Sequence, residues 1–128
     1  MRANVLVAGL ENCLENELCQ TLAALHYTVV SEPFPDAAAC VQAIDRVAAD
    51  VVFCPAESGR YEALLLELRK RGRKVPVVVV SRAPEVDYWL DAMDSGACDY
   101  CAAPFEPRML RSIIENALRL SDVLAEAS

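Results

Sequence analysis

Val77-Val78-Val79-Val80 is the stretch on which the fold turns. The run is β-branched throughout and has no helical spacing. Its consecutive apolar side chains project to both faces of a strand, so both faces must be covered. That describes a central strand of a parallel sheet rather than an antiparallel edge. Similar short runs lie on either side: Val5-Leu6-Val7-Ala8, ended by Gly9, then Thr28-Val29-Val30-Ser31, Val51-Val52-Phe53-Cys54, and Tyr100-Cys101-Ala102-Ala103.

Between these runs the apolar period changes to 3.6. Leu14, Leu18, Leu22 and Leu25 form one stripe, Cys40, Val41, Ile44 and Val47 a second, and Tyr61, Leu64, Leu65 and Leu68 a third. Val86, Leu90 and Met93 form a fourth, with Trp89 on its flank; Leu110, Ile113, Ile114, Ala117, Leu118 and Leu124 form the last. Local signals agree. Asn12 three residues before Glu15 reads as a capping box, Asp36 as an N-cap, Pro107 as a first-turn proline and Gly96 as a helix end. Strand and helix therefore alternate about five times with short connections, which predicts an α/β domain, doubly wound, with helices on both faces of one parallel sheet.

The chain has 128 residues, enough for one domain with a sizeable core. With 55% hydrophobic and 24% charged residues it is neither collagen-like, low in complexity nor disordered. No apolar run reaches the ~18 residues that cross a bilayer. Met1-Arg2-Ala3-Asn4 leads straight into the first strand, so no secretory leader is expected. Lys and Arg number 12 and Asp and Glu 19, a net charge of −7; that disfavours nucleic acid and membrane as partners through a broad basic face. The cluster Arg69, Lys70, Arg71, Arg73 and Lys74 falls at an expected helix end, where cations meet the negative end of the dipole. Six cysteines without a leader read as free thiols of a cytoplasmic protein.

Open parallel sheets bind ligands outside the carboxyl ends of their strands. The residues there are Gly9, Leu10 and Glu11, then Pro55, Ala56 and Glu57, then Ser81 and Arg82, and last Ala103, Pro104 and Phe105. Gly96-Ala97-Cys98-Asp99-Tyr100-Cys101-Ala102-Ala103-Pro104-Phe105 resembles the Gly-Ala-x-Asp-Tyr-x-x-Lys-Pro-Phe stretch of response-regulator receiver domains of bacterial two-component signalling, with the lysine missing. Val75-Pro76-Val77-Val78-Val79-Val80-Ser81 is similar to the family's fourth strand and hydroxyl, and Ala49-Asp50-Val51-Val52-Phe53-Cys54 to its third strand. The resemblance covers about residues 4–120. It implies a flavodoxin-like five-stranded parallel sheet in the order 2-1-3-4-5 flanked by five helices, with residues 1–122 as the receiver-like domain and 123–128 as a C-terminal tail.

The family's chemistry uses two carboxylates after strand one to hold Mg²⁺, an aspartate after strand three that takes the phosphoryl group, a hydroxyl after strand four and a lysine after strand five. By the resemblance these positions fall on Gly9 and Leu10, Pro55, Ser81 and Ala103. Only the hydroxyl of Ser81 is kept, together with Tyr100 at the position of the family's switch aromatic. Pro55 has no carboxylate for an acyl phosphate and no N–H. Gly9 and Leu10 supply none of the oxygen ligands that Mg²⁺ requires, and without the lysine no cation neutralises an added phosphoryl charge. Glu11 and Glu57 remain as weak candidates for a divalent ion, two carboxylates being fewer than hard cations usually take. No catalytic residue and no cofactor is expected.

Other chemistry is thin. Cys98 and Cys101 have C-x-x-C spacing, but across the start of a strand, where residues three apart face opposite ways, so core packing is expected. Cys54, beside the cleft, is the thiol most open to reaction. His26 stands alone at a helix end, as a structural or solvated histidine. Gly9 alone makes no dinucleotide loop, and Ser81 has no histidine partner for hydrolysis. A surface built from Tyr88, Trp89, Tyr100 and Met109, on the face of the fourth helix, fifth strand and fifth helix that receivers use for partners, suits a protein contact. The expectation is a receiver-like module without the phosphoacceptor, acting on a histidine kinase, another regulator or a second copy of itself. The alternatives are a ligand-, metal- or redox-switched regulator on the same fold and a small α/β enzyme.

Overall fold

A computed structural model describes residues 3–56 and 59–127, with 121–127 by backbone alone. In chain order the elements are β1 (Asn4–Ala8), α1 (Asn12–Ala24), β2 (Thr28–Glu32), α2 (Ala37–Val47), β3 (Val51–Pro55), α3 (Arg60–Lys70), β4 (Val77–Ser81), α4 (Val86–Ser95), β5 (Asp99–Ala102) and α5 (Pro107–Ala127). The five strands form one sheet in the order β2-β1-β3-β4-β5, and every pairing is parallel. The expected α/β architecture and strand order are those observed. The helix at the end of the chain continues to Ala127, through most of the stretch expected as a tail.

Period-two alternation splits each inner strand between two cores. Val5, Val7, Val51, Phe53, Val78 and Val80 pack with Leu14, Leu18 and Leu22 of α1 and Leu110, Ile113 and Ile114 of α5. Leu6, Val52, Cys54, Val77 and Val79 pack on the other face with Val41 and Ile44 of α2, Tyr61, Leu64 and Leu68 of α3, and Ala92 of α4. The four valines of β4 are at most 1% exposed, each worth about 1.5–3 kcal/mol relative to exposure. β2 is an edge strand and only half-buried, so its apolar run does not mean two covered faces there.

Two local expectations fail. Helix α1 starts at Asn12 itself, with Glu11 as N-cap and no side-chain cap. With Glu11 as N-cap, the third helical position is Leu14, which has no carboxylate to close a capping box, and Glu15 accepts instead from the Ser31 hydroxyl on β2. On α4 the period is as expected and the orientation is inverted. Val86, Trp89, Leu90 and Met93 are 67, 47, 46 and 44% exposed, while Ala92 is fully buried. The inward face is Tyr88, Ala92 and Ser95, with Tyr88 packed on the core and Ser95 against Tyr61. This helix carries two stripes at helical spacing, and the bulkier one faces out. Asp36 caps α2 as expected, accepting from the Ala39 amide at 2.7 Å, and Gly96 ends α4 with φ 99°.

Candidate functional site

The sheet order reverses between β1 and β3, so a cleft opens beyond their carboxyl ends. Gly9, Leu10, Glu11 and Leu14 form one wall of a cavity of ≈200 Å³; Pro55, Val80, Arg60 and Arg82 form the others. A shallower hollow of ≈530 Å³ adjoins it over Glu32, Pro33, Phe34 and Pro35 and shares Gly9, Leu10 and Arg60.

The backbone at this mouth is specific to the residues that build it. Gly9 has φ 75°, and its amide donates to the Glu32 carbonyl at 3.0 Å, closing the turn after β1. A Cβ at Gly9 would stand 2.6 Å from Phe34 Cβ and 3.5 Å from Arg60 Nη1. Pro55 fits the end of β3 because its ring nitrogen needs no partner. Val52 N–H donates to Pro76 O and Ala56 N–H to Val80 O, both on the β4 side. By alternation the Pro55 nitrogen faces β1, past the last β1–β3 pair, Val7 with Phe53.

Charge at the mouth is mixed. Glu11 accepts from the Arg82 guanidinium, bridging the loops after β1 and β4. Glu32 is paired with Arg46. No ion pair among the described residues involves Arg60. Glu57, the second weak metal candidate, lies outside the described residues. Among those described, no group of three His, Cys, Asp or Glu side chains stands close enough to hold a metal ion.

Beside the cavity Ser81 and Tyr100 do meet. The Ser81 hydroxyl, 2% exposed, donates to the Ala83 carbonyl at 2.8 Å. Its oxygen is hydrogen-bonded to the Tyr100 hydroxyl, and the Glu85 amide donates to that same hydroxyl at 3.2 Å. Tyr100 Oη also lies 3.3 Å from Ala83 O, so either hydroxyl can donate to that carbonyl while the other donates between the two, and Glu85 N–H donates to Tyr100. The network ties β5 to the loop that leads into α4. Sequence reasoning paired Ser81 with Tyr100 but had no signal for the Ala83 and Glu85 backbone groups. Ala103 does not line the cavity; its amide donates to Ser81 O at 3.1 Å and its methyl packs on the core beneath α1 and α5.

Of the expected contact residues, Trp89 and Met109 are exposed, whereas Tyr88 and Tyr100 are half-buried. Arg82, read only as a loop residue after β4, and Arg60, not singled out in the sequence, are the two cations that define the mouth.

The buried thiols, Cys40, Cys54 and Cys101, are packed into the cores. Cys54 is completely buried, and burial drives its pKa far above the ordinary 9.0, with Cys40 nearby adding to the shift. The expectation that Cys54 is the reactive thiol is therefore wrong: its side chain turns into the α2–α3 core instead of the cleft. Burial, with a smaller contribution from Asp99, pushes Cys101 up to about 12. Cys98 precedes β5, so strand alternation does not reach it, and it packs on the same cluster as Cys101 with both thiols free.

A doubly wound sheet in this order with a cleft at its switch point defines the flavodoxin-like receiver fold, and the structural neighbours are response-regulator receiver domains. NtrX from Brucella abortus, in a structure with ADP, aligns with a TM-score of 0.81 and 27% identity over 99% of this chain and 28% of NtrX. The receiver domain of NtrX aligns at 0.73 with 26% identity, over 90% of this chain and 98% of that domain. A putative response regulator from Chloroflexus aurantiacus gives 0.76 and 20% identity, over 93% of this chain and 99% of the other, a likeness of fold. The chain thus spans 28–30% of the length of the longer NtrX structures. No protein-family profile and no curated protein sequence matches it. Among the described residues no helix is long and apolar enough to cross a membrane.

Proposed function

We propose that this chain is a receiver-type signalling module that acts by protein contact and without phosphorylation. The observation that carries the reading is the composition of the cleft mouth. Where receivers place acids, a glycine, a leucine and a proline stand at Gly9, Leu10 and Pro55, and among the described residues the one carboxylate lining the cavity, Glu11, is engaged by Arg82. Pro55 has no carboxylate oxygen on which an acyl phosphate could form at that position. The site cannot be repaired by one substitution, since any side chain at Gly9 meets both a left-handed backbone and Phe34.

The signalling surface in this reading is the outer face of α4. Its four large apolar residues, Val86, Trp89, Leu90 and Met93, lie at helical spacing and are partly open to solvent, and Trp at the centre of such a patch suits a contact hot spot. Met109, at the start of α5, is also exposed. The Ser81–Tyr100 network holds the loop entering α4 with its hydrogen bonds already made, so the surface is presented without a phosphoryl group to organise it. The partner is a histidine kinase, another regulator or a second copy, in a cytoplasmic signalling pathway.

The test is association measured with and without acetyl phosphate and Mg²⁺, by sedimentation for self-association and by titration against cognate kinases or regulators. Affinity should be the same in both conditions and lost in Trp89→Glu. An affinity that rises only with acetyl phosphate contradicts the proposal.

A further inference from the structure

The described residues at the cleft mouth have the charge of an anion site. Arg60, from the first turn of α3, and Arg82, from the loop after β4, line the same ≈200 Å³ cavity. Gly9 admits the first of them: Arg60 Nη1 stands 3.5 Å from the point a Cβ would occupy, so the guanidinium lies against backbone that a side chain would cover. Arg60 makes no ion pair among the described residues. Arg82 and Glu11 cancel, leaving one net positive charge on the lining residues. Helices α1 and α3 both start at this cavity, and neither Glu11 nor Gly59 caps its helix with a side-chain hydrogen bond, so two positive helix ends add to the guanidinium field.

We propose that this cavity binds a phosphate group non-covalently between Arg60 and Arg82, with Arg82 exchanging Glu11 for the ligand. Each guanidinium offers a planar fork of donors that fits two oxygens of a phosphate, and two forks match a dianion. The ≈200 Å³ cavity has room for a phosphate group, and the adjoining hollow of ≈530 Å³, which shares Arg60, has room for the rest of a monoester. The inference rests on the arginines and the cavity. It does not need Pro55 to mark a former acceptor position, so its failure leaves the proposed function standing.

The experiment is an amide NMR titration of the full chain with sodium phosphate at constant ionic strength, with parallel titrations of glycerol phosphate and acetate. Saturable shifts are expected at Gly9, Glu11, Arg60 and Arg82. Arg60→Gln and Arg82→Gln should each weaken binding by about tenfold, the loss of a charge-assisted pair. Both side chains are exposed, and the amide spectrum of each variant verifies its fold. Glu11→Gln removes one internal competitor for Arg82 and should tighten binding severalfold, a gain that misfolding does not produce. Tighter binding of glycerol phosphate assigns the site to a monoester, and equal or weaker binding to the free ion; either supports the phosphate site. Shifts that never saturate, an affinity unchanged in both arginine variants, weaker binding by Glu11→Gln, or acetate binding as tightly as phosphate would each overturn it.

Discussion

Gly9 and Ala48 both hold positive φ, and they predict opposite responses to substitution. Gly9→Ala puts a methyl 2.6 Å from Phe34 Cβ in a conformation L-residues avoid. It should destabilise the fold by about 2 kcal/mol or more in denaturant unfolding. Ala48 is exposed at the end of α2 with φ 52°. There Asn4 Nδ2 donates to the Val47 and Ala48 carbonyls, both at 3.2 Å, and satisfies the helix end. Ala48→Gly should therefore stabilise by about 0.5–1 kcal/mol, because glycine relieves the strained φ without removing a contact. A loss of stability at Ala48→Gly would show that the methyl is packed. His26, the lone histidine, follows the C-cap Leu25 of α1 with φ 70°, and its amide donates to Ala23 O at 2.9 Å.

At the scale of elements, helix α4 separates what the sequence shows from what only packing shows. Ala92→Leu adds volume to a fully buried position and should cost about 1–3 kcal/mol. Leu90→Glu changes an exposed position and should shift stability by no more than about 0.5 kcal/mol. Thermal melts of the two variants check this, and the reverse ranking would restore the orientation read from the sequence. The β4 valines were legible because a continuous β-branched run has one physical explanation, burial on both faces. α4 was not, because its inner face is built from Tyr88, Ala92 and Ser95 and its outer face from larger apolar residues. A period fixes the angle between stripes, and burial depends on which one the sheet meets. The absent capping box at α1 has the same character: Glu15 has a local partner by spacing and a distant one, Ser31, by folding. At the cleft, the identities of Gly9, Leu10 and Pro55 could be read from single residues, whereas the convergence of Arg60 with Arg82 joins α3 to the loop after β4 and exists only in three dimensions.

For the molecule as a whole, the two cores contain most of the thiols. Burial raises Cys40 to about 11 and Cys101 to about 12 from 9.0. Between pH ~9 and those values the unfolded chain ionises its thiols and the folded chain does not, so deprotonation favours unfolding. Stability should be full below pH ~9 and fall between about pH 9 and 12, by at most about 1.4 kcal/mol per pH unit for each thiol; a flat curve in urea titrations across that range would contradict the burial. Thiol labelling near neutral pH should mark Cys13, the exposed cysteine, first and leave Cys40, Cys54 and Cys101 unmodified until the protein unfolds. Rapid native labelling of Cys54 would reopen a redox switch at the cleft. The central claim, a receiver fold that signals without taking a phosphoryl group, is tested most directly by the intact mass of the protein after incubation with acetyl phosphate and Mg²⁺. An unchanged mass is expected. A phosphoryl adduct on an aspartate or glutamate, labile to hydroxylamine, would contradict it.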